Sequence, residues 1–231
     1  MLRHENSLLE YVRIYMNISK EMAVNTAIKC GKDYGIKLAN TRLLILYRDR
    51  TSNLLKHIEV LFRPSNFQHL TGLQLINGNG GIRENCAIEF YRRCIDRPFI
   101  TAAEISFKDD GTTPMKLGAL PALMDLTKIT RICGDYNNRK KNLEADAIVG
   151  GVNFSLALSL YEGNREEYFP RSALLEDIRN LVVASSQVIA IFQKSIGDKT
   201  KYTKIKYVAK GINVSKINFP NEISDLISIG G

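Results

Sequence analysis

Histidine is scarce in this chain, and cysteine pairs at motif spacing are missing altogether. Only His4, His57 and His69 occur, and the four cysteines, Cys30, Cys86, Cys94 and Cys133, are dispersed, with no C-x-x-C pair and no histidine at metal-ligand spacing. Zinc-ribbon and dithiol redox readings fall away, leaving reduced, mostly buried thiols as expected in the cytoplasm. Long apolar runs are lacking too. The uncharged run Asn180–Gln193 is short and carries Ser and Gln, so it is not expected to span a bilayer. Arg3, Glu5, Glu10 and Arg13 break up the N-terminus, where no signal-peptide core is expected. These absences predict a cytoplasmic protein with no membrane partner.

Several catalytic signatures are missing as well. The loop Asn77-Gly78-Asn79-Gly80-Gly81 invites comparison with a phosphate-binding fingerprint, but Arg83 stands where G-x-G-x-x-G needs its last glycine and no P-loop Lys-Ser/Thr follows. Neither a G-x-S-x-G elbow nor a Cys–His protease signature occurs. The carboxylates at Asp109-Asp110, Glu144/Asp146, Glu166-Glu167 and Glu176-Asp177 have no histidine at a ligand spacing. Accordingly, no cofactor and no metal are expected.

What the chain does have is positive charge and ample apolar content. Thirty-two Lys and Arg against 24 Asp and Glu give a net charge of +8, a field that attracts polyanions, nucleic acid above all. With 231 residues, 45% of them apolar, it can bury a substantial core. The reading is one domain over residues 1–231, with a helical element over 1–36 and a C-terminal sheet over about 128–210.

From Asn6 to about Cys30 the apolar residues recur at helical spacing, and Gly31 and Gly35 are expected to end that helix. Thr41–Tyr47 and Lys56–Phe62 read as strands joined by the turn residues 49–53, the second strand half-buried by its alternation. Glu84–Asp96 reads as a helix with Cys86, Ala87, Phe90 and Cys94 inward. Thr101–Glu104 reads as a capping box, and Thr113-Pro114 as the start of another helix. Strands are expected at Lys128–Cys133, Ala145–Val149 and Val152–Tyr161. The last carries Val152, Phe154, Leu156, Leu158 and Leu160 on one face, which suggests an antiparallel sheet covered by helices on one side. Pro170-Arg171-Ser172 is expected to lead into a short helix, and Gln187–Lys194 to pair with Lys201–Lys210 across a Gly197-Asp198 turn. The fold class is therefore α+β: N-terminal helices packed on an antiparallel sheet, with an additional N-terminal β-hairpin.

Chemistry is expected first in Phe62–Leu73, FRPSNFQHLTGL. This segment places His69 and Thr71 in a tight, glycine-terminated stretch directly after a strand, where a side chain can be held rigidly. His4 falls near the terminus and His57 in a strand beside Glu59, and a lone histidine is as readily structural. In the last strand Thr203, Ile205, Tyr207 and Ala209 share one face, which would leave Tyr202, Lys204, Lys206 and Lys210 on the other. Those lysines also fit a solvated edge strand that resists aggregation. Without metal, a set of His, Thr, Ser, Tyr and Lys suits RNA cleavage by the adjacent 2′-hydroxyl, which needs a base, cations for phosphorane charge, and an acid for the leaving oxygen.

The phrase FRPSNFQHLTGL, together with Lys116-Leu117, Gly134-Asp135-Tyr136, Phe169-Pro170-Arg171-Ser172 and the ending IFQK…KYTKIKYVAKG over 191–211, resembles the phage-associated branch of the barnase/EndoU/colicin/RelE-like (BECR-fold) nuclease superfamily. The likeness runs from about Leu43 onward, and F-x-H-L-T-G is its most specific part. It implies a helical N-terminal part on a four-stranded antiparallel sheet and a metal-independent endoribonuclease. It also implies a role as toxin or effector in conflict between phages, mobile elements and hosts, with an inhibitor or antitoxin protein as a second possible partner beside RNA. Only His69 and Thr71 map onto the motif. Local chemistry supplies the rest: His69 as base or acid, Lys206 or Lys194 for phosphorane charge, and Thr71, Ser172 and Tyr202 to position phosphate. Arg171 is the candidate bidentate clamp, with Lys116, Lys204 and Lys210 as further substrate contacts. Two other readings stand beside this one: a non-catalytic nucleic-acid-binding protein using the same cations, and an inhibitor or immunity factor whose sheet docks a partner.

Overall fold

A computed structural model describes residues 18–163 and 167–229. In chain order the elements are α1 (Lys20–Lys37), β1 (Thr41–Arg48), β2 (Leu55–Phe62), α2 (Asn66–Thr71), β3 (Leu73–Leu75), α3 (Ala87–Ile95), a 3-10 turn (Ala102–Glu104), β4 (Ile105–Phe107), α4 (Thr113–Leu123) and α5 (Leu126–Ile129). Then follow β5 (Ile132–Asp135), β6 (Ala147–Gly150), β7 (Ser155–Leu160), β8 (Glu167–Leu174), β9 (Ser186–Ser195), β10 (Lys204–Val208) and α6 (Asn221–Ser224). The described residues fall into two compact units: 18–39, 63–124 and 173–175 form the first, and 40–62, 125–163, 167–172 and 176–229 the second.

The first unit is helical. Ser19 opens α1 by accepting a hydrogen bond from the Met22 amide on its side-chain oxygen at 3.2 Å. Contrary to the expected stop, α1 runs on through Gly31 and Gly35 to Lys37. A Cβ at Gly31 would lie 2.9 Å from the Cβ of Cys94, so here glycine lets α1 approach α3 closely. Around that contact Tyr34, Phe67 and Tyr91 pack in tilted and edge-to-face pairs with ring centroids 5.1 to 5.9 Å apart, and the Tyr34 hydroxyl donates to the Arg63 carbonyl at 2.9 Å. β3 and β4 form a small antiparallel pair, Gln74 opposite Ser106. The capping box at Thr101 and Glu104 is present as expected. His4 and the expected helical stretch from Asn6 to Asn17 lie outside the described residues.

The second unit is a closed barrel of seven strands in the order β1-β2-β8-β7-β6-β5-β9, with β9 pairing back onto β1 and β10 lying outside the barrel on β9. β2 and β8 run parallel, Glu59 beside Glu167 and Val60 beside Tyr168, whereas β1–β2, β5–β6, β6–β7 and β9–β1 are antiparallel, so the barrel is mixed. This overturns the expected α+β arrangement of N-terminal helices on an antiparallel, four-stranded sheet. The β1–β2 hairpin is no addition to the sheet; it supplies two barrel strands, and the strands extend well beyond residues 128–210. Among the described residues three helices have seven or more residues, α1, α3 and α4.

Burial on both faces explains why alternation misled. Leu44, Leu46 and Phe192 pack with Tyr202, Val214, Ile223 and Ile227, while their sequence neighbours Leu43, Ile45 and Ile191 are buried as well. β2 is likewise buried at every residue from Ile58 to Phe62, not half-buried. In the predicted strand Val152–Tyr161, β7 begins only at Ser155 and buries Ser155 and Ala157 as fully as Leu156 and Leu158, whereas Val152 is exposed. Pro170-Arg171-Ser172 lies within β8, where a helix lead-in was expected, and Lys128 and Ile129 belong to α5, with the strand beginning at Ile132. Among the described residues no helix is long and apolar enough to cross a membrane.

Candidate active site

His69 sits in the last turn of α2, which ends as the glycine predicts: Gly72 adopts φ 71°, a left-handed cap whose amide donates to the His69 carbonyl at 3.3 Å. Thr71 is completely buried. Its hydroxyl donates to the Gln68 carbonyl at 2.7 Å and accepts from the Leu73 amide at 3.0 Å, tying the turn that carries His69 to β3. Lys116, buried on α4, donates its amine to the His69 carbonyl at 3.3 Å, and the Thr113 hydroxyl donates to the Gly72 carbonyl at 2.8 Å. The backbone carbonyls of His69 and of Gly72, three residues on, are thus held by side chains from α4.

The half-buried His69 lines an open groove of about 660 Å³ within the first unit, together with Ser65, Gln68, Gln74, Arg83, Asn85 and Lys108, over Leu73 and Ile82. Arg83 is engaged there: its guanidinium donates to both carboxylate oxygens of Glu89 at 2.9 and 2.6 Å, holding the Glu89 carboxyl below its ordinary range. Lys108 carries no side-chain partner among the described residues, so its charge is available in the groove. Periodicity does not reveal Lys108 or Asn85, because one lies just past the β3–β4 pairing and the other in a loop. Only Gln74, flanked by the buried Leu73 and Leu75, betrays an outward side chain by alternation.

The remaining predicted residues belong to the second unit. Lys194 and Tyr202 are brought together, the amine 4.3 Å from the ring centroid, and that amine also donates to the Thr200 carbonyl at 2.8 Å. Tyr202 does not share a surface with the lysines. It precedes β10, bridges to Ile227 and is fully buried, whereas Lys204 and Lys206 are exposed, as is Lys210 beyond the strand. A register shift between Ile205 and Tyr207 breaks the alternation at Lys206. Arg171 is ion-paired with Glu144 at 2.8 Å, and Ser172 is buried in β8.

Around Tyr202 lies a polar network that sequence reasoning missed. The Tyr202 hydroxyl donates to Glu59 at 2.7 Å, and Arg42 bridges Glu59 at 3.3 Å and Glu167 at 2.5 Å. Burial, the hydrogen bond and the neighbouring Glu59 charge all push the Tyr202 phenol far up. The single guanidinium of Arg42 thus faces both carboxylates, and its Nε is buried without a partner among the described residues. The only hint in the sequence is a charged Glu59 inside the otherwise apolar run Ile58–Phe62.

Among the described residues no three His, Cys, Asp or Glu side chains gather as a metal site would need. No curated protein and no solved structure matches this chain. A family model does match, that of the phage-Barnase-EndoU-ColicinE5/D-RelE like nuclease 4 family, over residues 28–211. The matched span takes in the FRPSNFQHLTGL segment, the groove around His69 and the barrel strands through β10. The chain therefore belongs to this nuclease family, and nucleic acid is its substrate class.

Proposed function

We propose that the protein is a metal-independent endoribonuclease that cleaves RNA through attack of the 2′-hydroxyl on the adjacent phosphate. One observation carries the reading: within a nuclease family, a histidine on a doubly braced turn opens onto the same groove as a lysine that has no side-chain partner among the described residues. His69 takes the 2′-hydroxyl proton, or delivers one to the leaving 5′-oxygen, and Lys108 offsets the negative charge that builds on the phosphorane oxygens. The new bond joins the 2′-oxygen to phosphorus as the bond to the 5′-oxygen breaks. The products are a 2′,3′-cyclic phosphate and a 5′-hydroxyl. The donor set in the groove, one imidazole and the Glu84 carboxylate, favours acid–base work over holding a divalent cation. Thr71 and Lys116 act as positioning residues for His69. The exposed Lys204, Lys206 and Lys210 offer phosphate contacts, each of which makes affinity fall with salt.

Incubation of purified protein with total RNA, with and without chelator, tests this. Chelator-resistant fragments ending in 2′,3′-cyclic phosphate are expected. Intact RNA retained in a salt-sensitive complex would instead support a non-catalytic binder. A toxin or effector role belongs to the same proposal, and it predicts that expression arrests growth and that His69→Ala restores it.

A further inference from the structure

Four polar side chains in the His69 groove have no partner among the described residues. Gln74, Asn85, Ser65 and Lys108 make no side-chain hydrogen bond to another described residue, and Ser65 leaves its hydroxyl uncommitted although it occupies the N-cap of α2. The other amide, Gln68, is shared with the Cys86 thiol at 3.6 Å, and Arg83 is neutralised by Glu89, so neither is available in the same way. The same groove is lined by Ile82, 52% exposed, an apolar side chain held there by its bridge to Ile76. Asn85 has a left-handed backbone, φ 51°, a conformation that asparagine adopts more readily than most residues.

We infer that Gln74 and Asn85 read the hydrogen-bonding edge of one unpaired nucleobase, whose face rests on Ile82 while its ribose phosphate reaches His69 and Lys108. This rests on the ribonuclease reading of the same groove. A carboxamide presents one donor group and one acceptor side by side, the pattern that matches a base edge, and an apolar platform suits the face of any base. The groove volume of about 660 Å³ is in the range of roughly 300–1,000 Å³ that accommodates a ligand of nucleotide size. A duplex would bury that edge, so the substrate class is single-stranded or looped RNA.

The test uses DNA oligonucleotides carrying a single ribonucleotide, its base varied among the four, so that cleavage reports one position. Wild type is expected to prefer one base by at least about tenfold in kcat/KM and to spare the same site in a duplex. Gln74→Ala and Asn85→Gly should flatten the ratio, chiefly by slowing cleavage at the preferred base; glycine accommodates the left-handed backbone at residue 85. Unchanged base ratios in both variants, or equal cutting of duplex and single strand, overturn the inference while the ribonuclease reading survives. If wild type cuts no RNA, that reading fails first, and NMR titration with the four 3′-mononucleotides decides the subsite. Saturable binding that Gln74→Ala weakens sustains it, and absence of binding ends it. Thermal unfolding of each variant separates loss of recognition from loss of fold.

Discussion

Tyr202 donates its hydroxyl to Glu59 at 2.7 Å across 143 residues of chain, joining the segment before β10 to the middle of β2. Both groups are nearly inaccessible, Tyr202 at 0% and Glu59 at 8% exposure. The carboxylate is therefore stabilised by two partners, this phenol and Arg42. Replacing Tyr202 by Phe keeps the ring in its apolar cluster but removes one donor to a buried charge, which costs about 1–3 kcal/mol. Urea unfolding should report that loss. A variant as stable as wild type would mean that Glu59 does not depend on the phenol.

His69 makes the opposite kind of prediction. Its carbonyl, not its side chain, receives the Gly72 amide and the Lys116 amine, so His69→Ala leaves the braced turn in place. Loss of a general acid or base lowers the rate about 10²- to 10⁴-fold, and Tm should stay within a few degrees of wild type. Lys108→Ala should likewise depress cleavage without unfolding. Unaltered turnover by His69→Ala on chelator-treated RNA would remove the histidine from the mechanism.

Thr71 separates positioning from chemistry. Thr71→Val removes a hydroxyl that satisfies the Gln68 carbonyl and the Leu73 amide in a fully buried place, at a cost of about 1–3 kcal/mol. Thr71→Ser retains both bonds and should lose less. If Thr71 positions His69, activity in the two variants falls in the same order as stability, and the pH profile of cleavage keeps its shape. A Thr71→Val protein with wild-type stability and no activity would place the hydroxyl on substrate instead.

Local chemistry makes part of this fold legible in the residues themselves. Gly72 after His-Leu-Thr announces a left-handed cap, Thr101 and Glu104 a capping box, and the Asp49–Asn53 stretch a turn between β1 and β2; each is present. Barrel closure is not legible, because it depends on β2 meeting β8 in parallel, a pairing of Glu59 with Glu167 that no local pattern encodes. Burial on both faces of the barrel strands also erases the alternation that would mark an inside and an outside, as Leu43 and Leu44 illustrate by being equally buried. In the groove, His69 stands out as one of few histidines, whereas Lys108 is one lysine among many until β3–β4 pairing places it.

Gly31 and Gly35 show how the same residue type in one helix carries different constraints. Alanine at either position gains about 1 kcal/mol of helix propensity. At Gly31 the new methyl would meet the Cys94 Cβ at 2.9 Å and the Phe67 ring at 3.3 Å, both completely buried, so overpacking of about 1–3 kcal/mol should win. At Gly35 the close contact is a single atom, the Tyr91 hydroxyl at 2.8 Å, at the tip of its side chain, and the next ring atom lies 4.0 Å away. Gly31→Ala is expected to lower Tm and Gly35→Ala to leave it nearly unchanged or raise it. Equal effects would show that the α1–α3 contact is looser than the packing indicates.

Acid should act on the helical unit through Glu104. Its carboxylate accepts from both terminal nitrogens of Arg93 at 2.7 and 2.8 Å, and from the Thr101 amide and hydroxyl at 3.0 and 2.6 Å. The Arg93 hydrogen bonds first, and those from Thr101 next, bring its pKa from an ordinary 4.5 down to about 2. Because the folded value is the lower one, the stabilisation is fully present above pH 4.5 and is lost as the pH falls through about 2. The Glu104 side chain is 35% exposed, so solvent screening limits the contribution to about 1 kcal/mol. Glu104→Gln mimics the protonated acid while retaining an acceptor for Thr101. The unfolding free energies of wild type and Glu104→Gln should therefore differ most at neutral pH and converge between about pH 5 and pH 2. A difference that stayed constant across that window would assign the effect of the substitution to shape, with the charge on Glu104 contributing nothing.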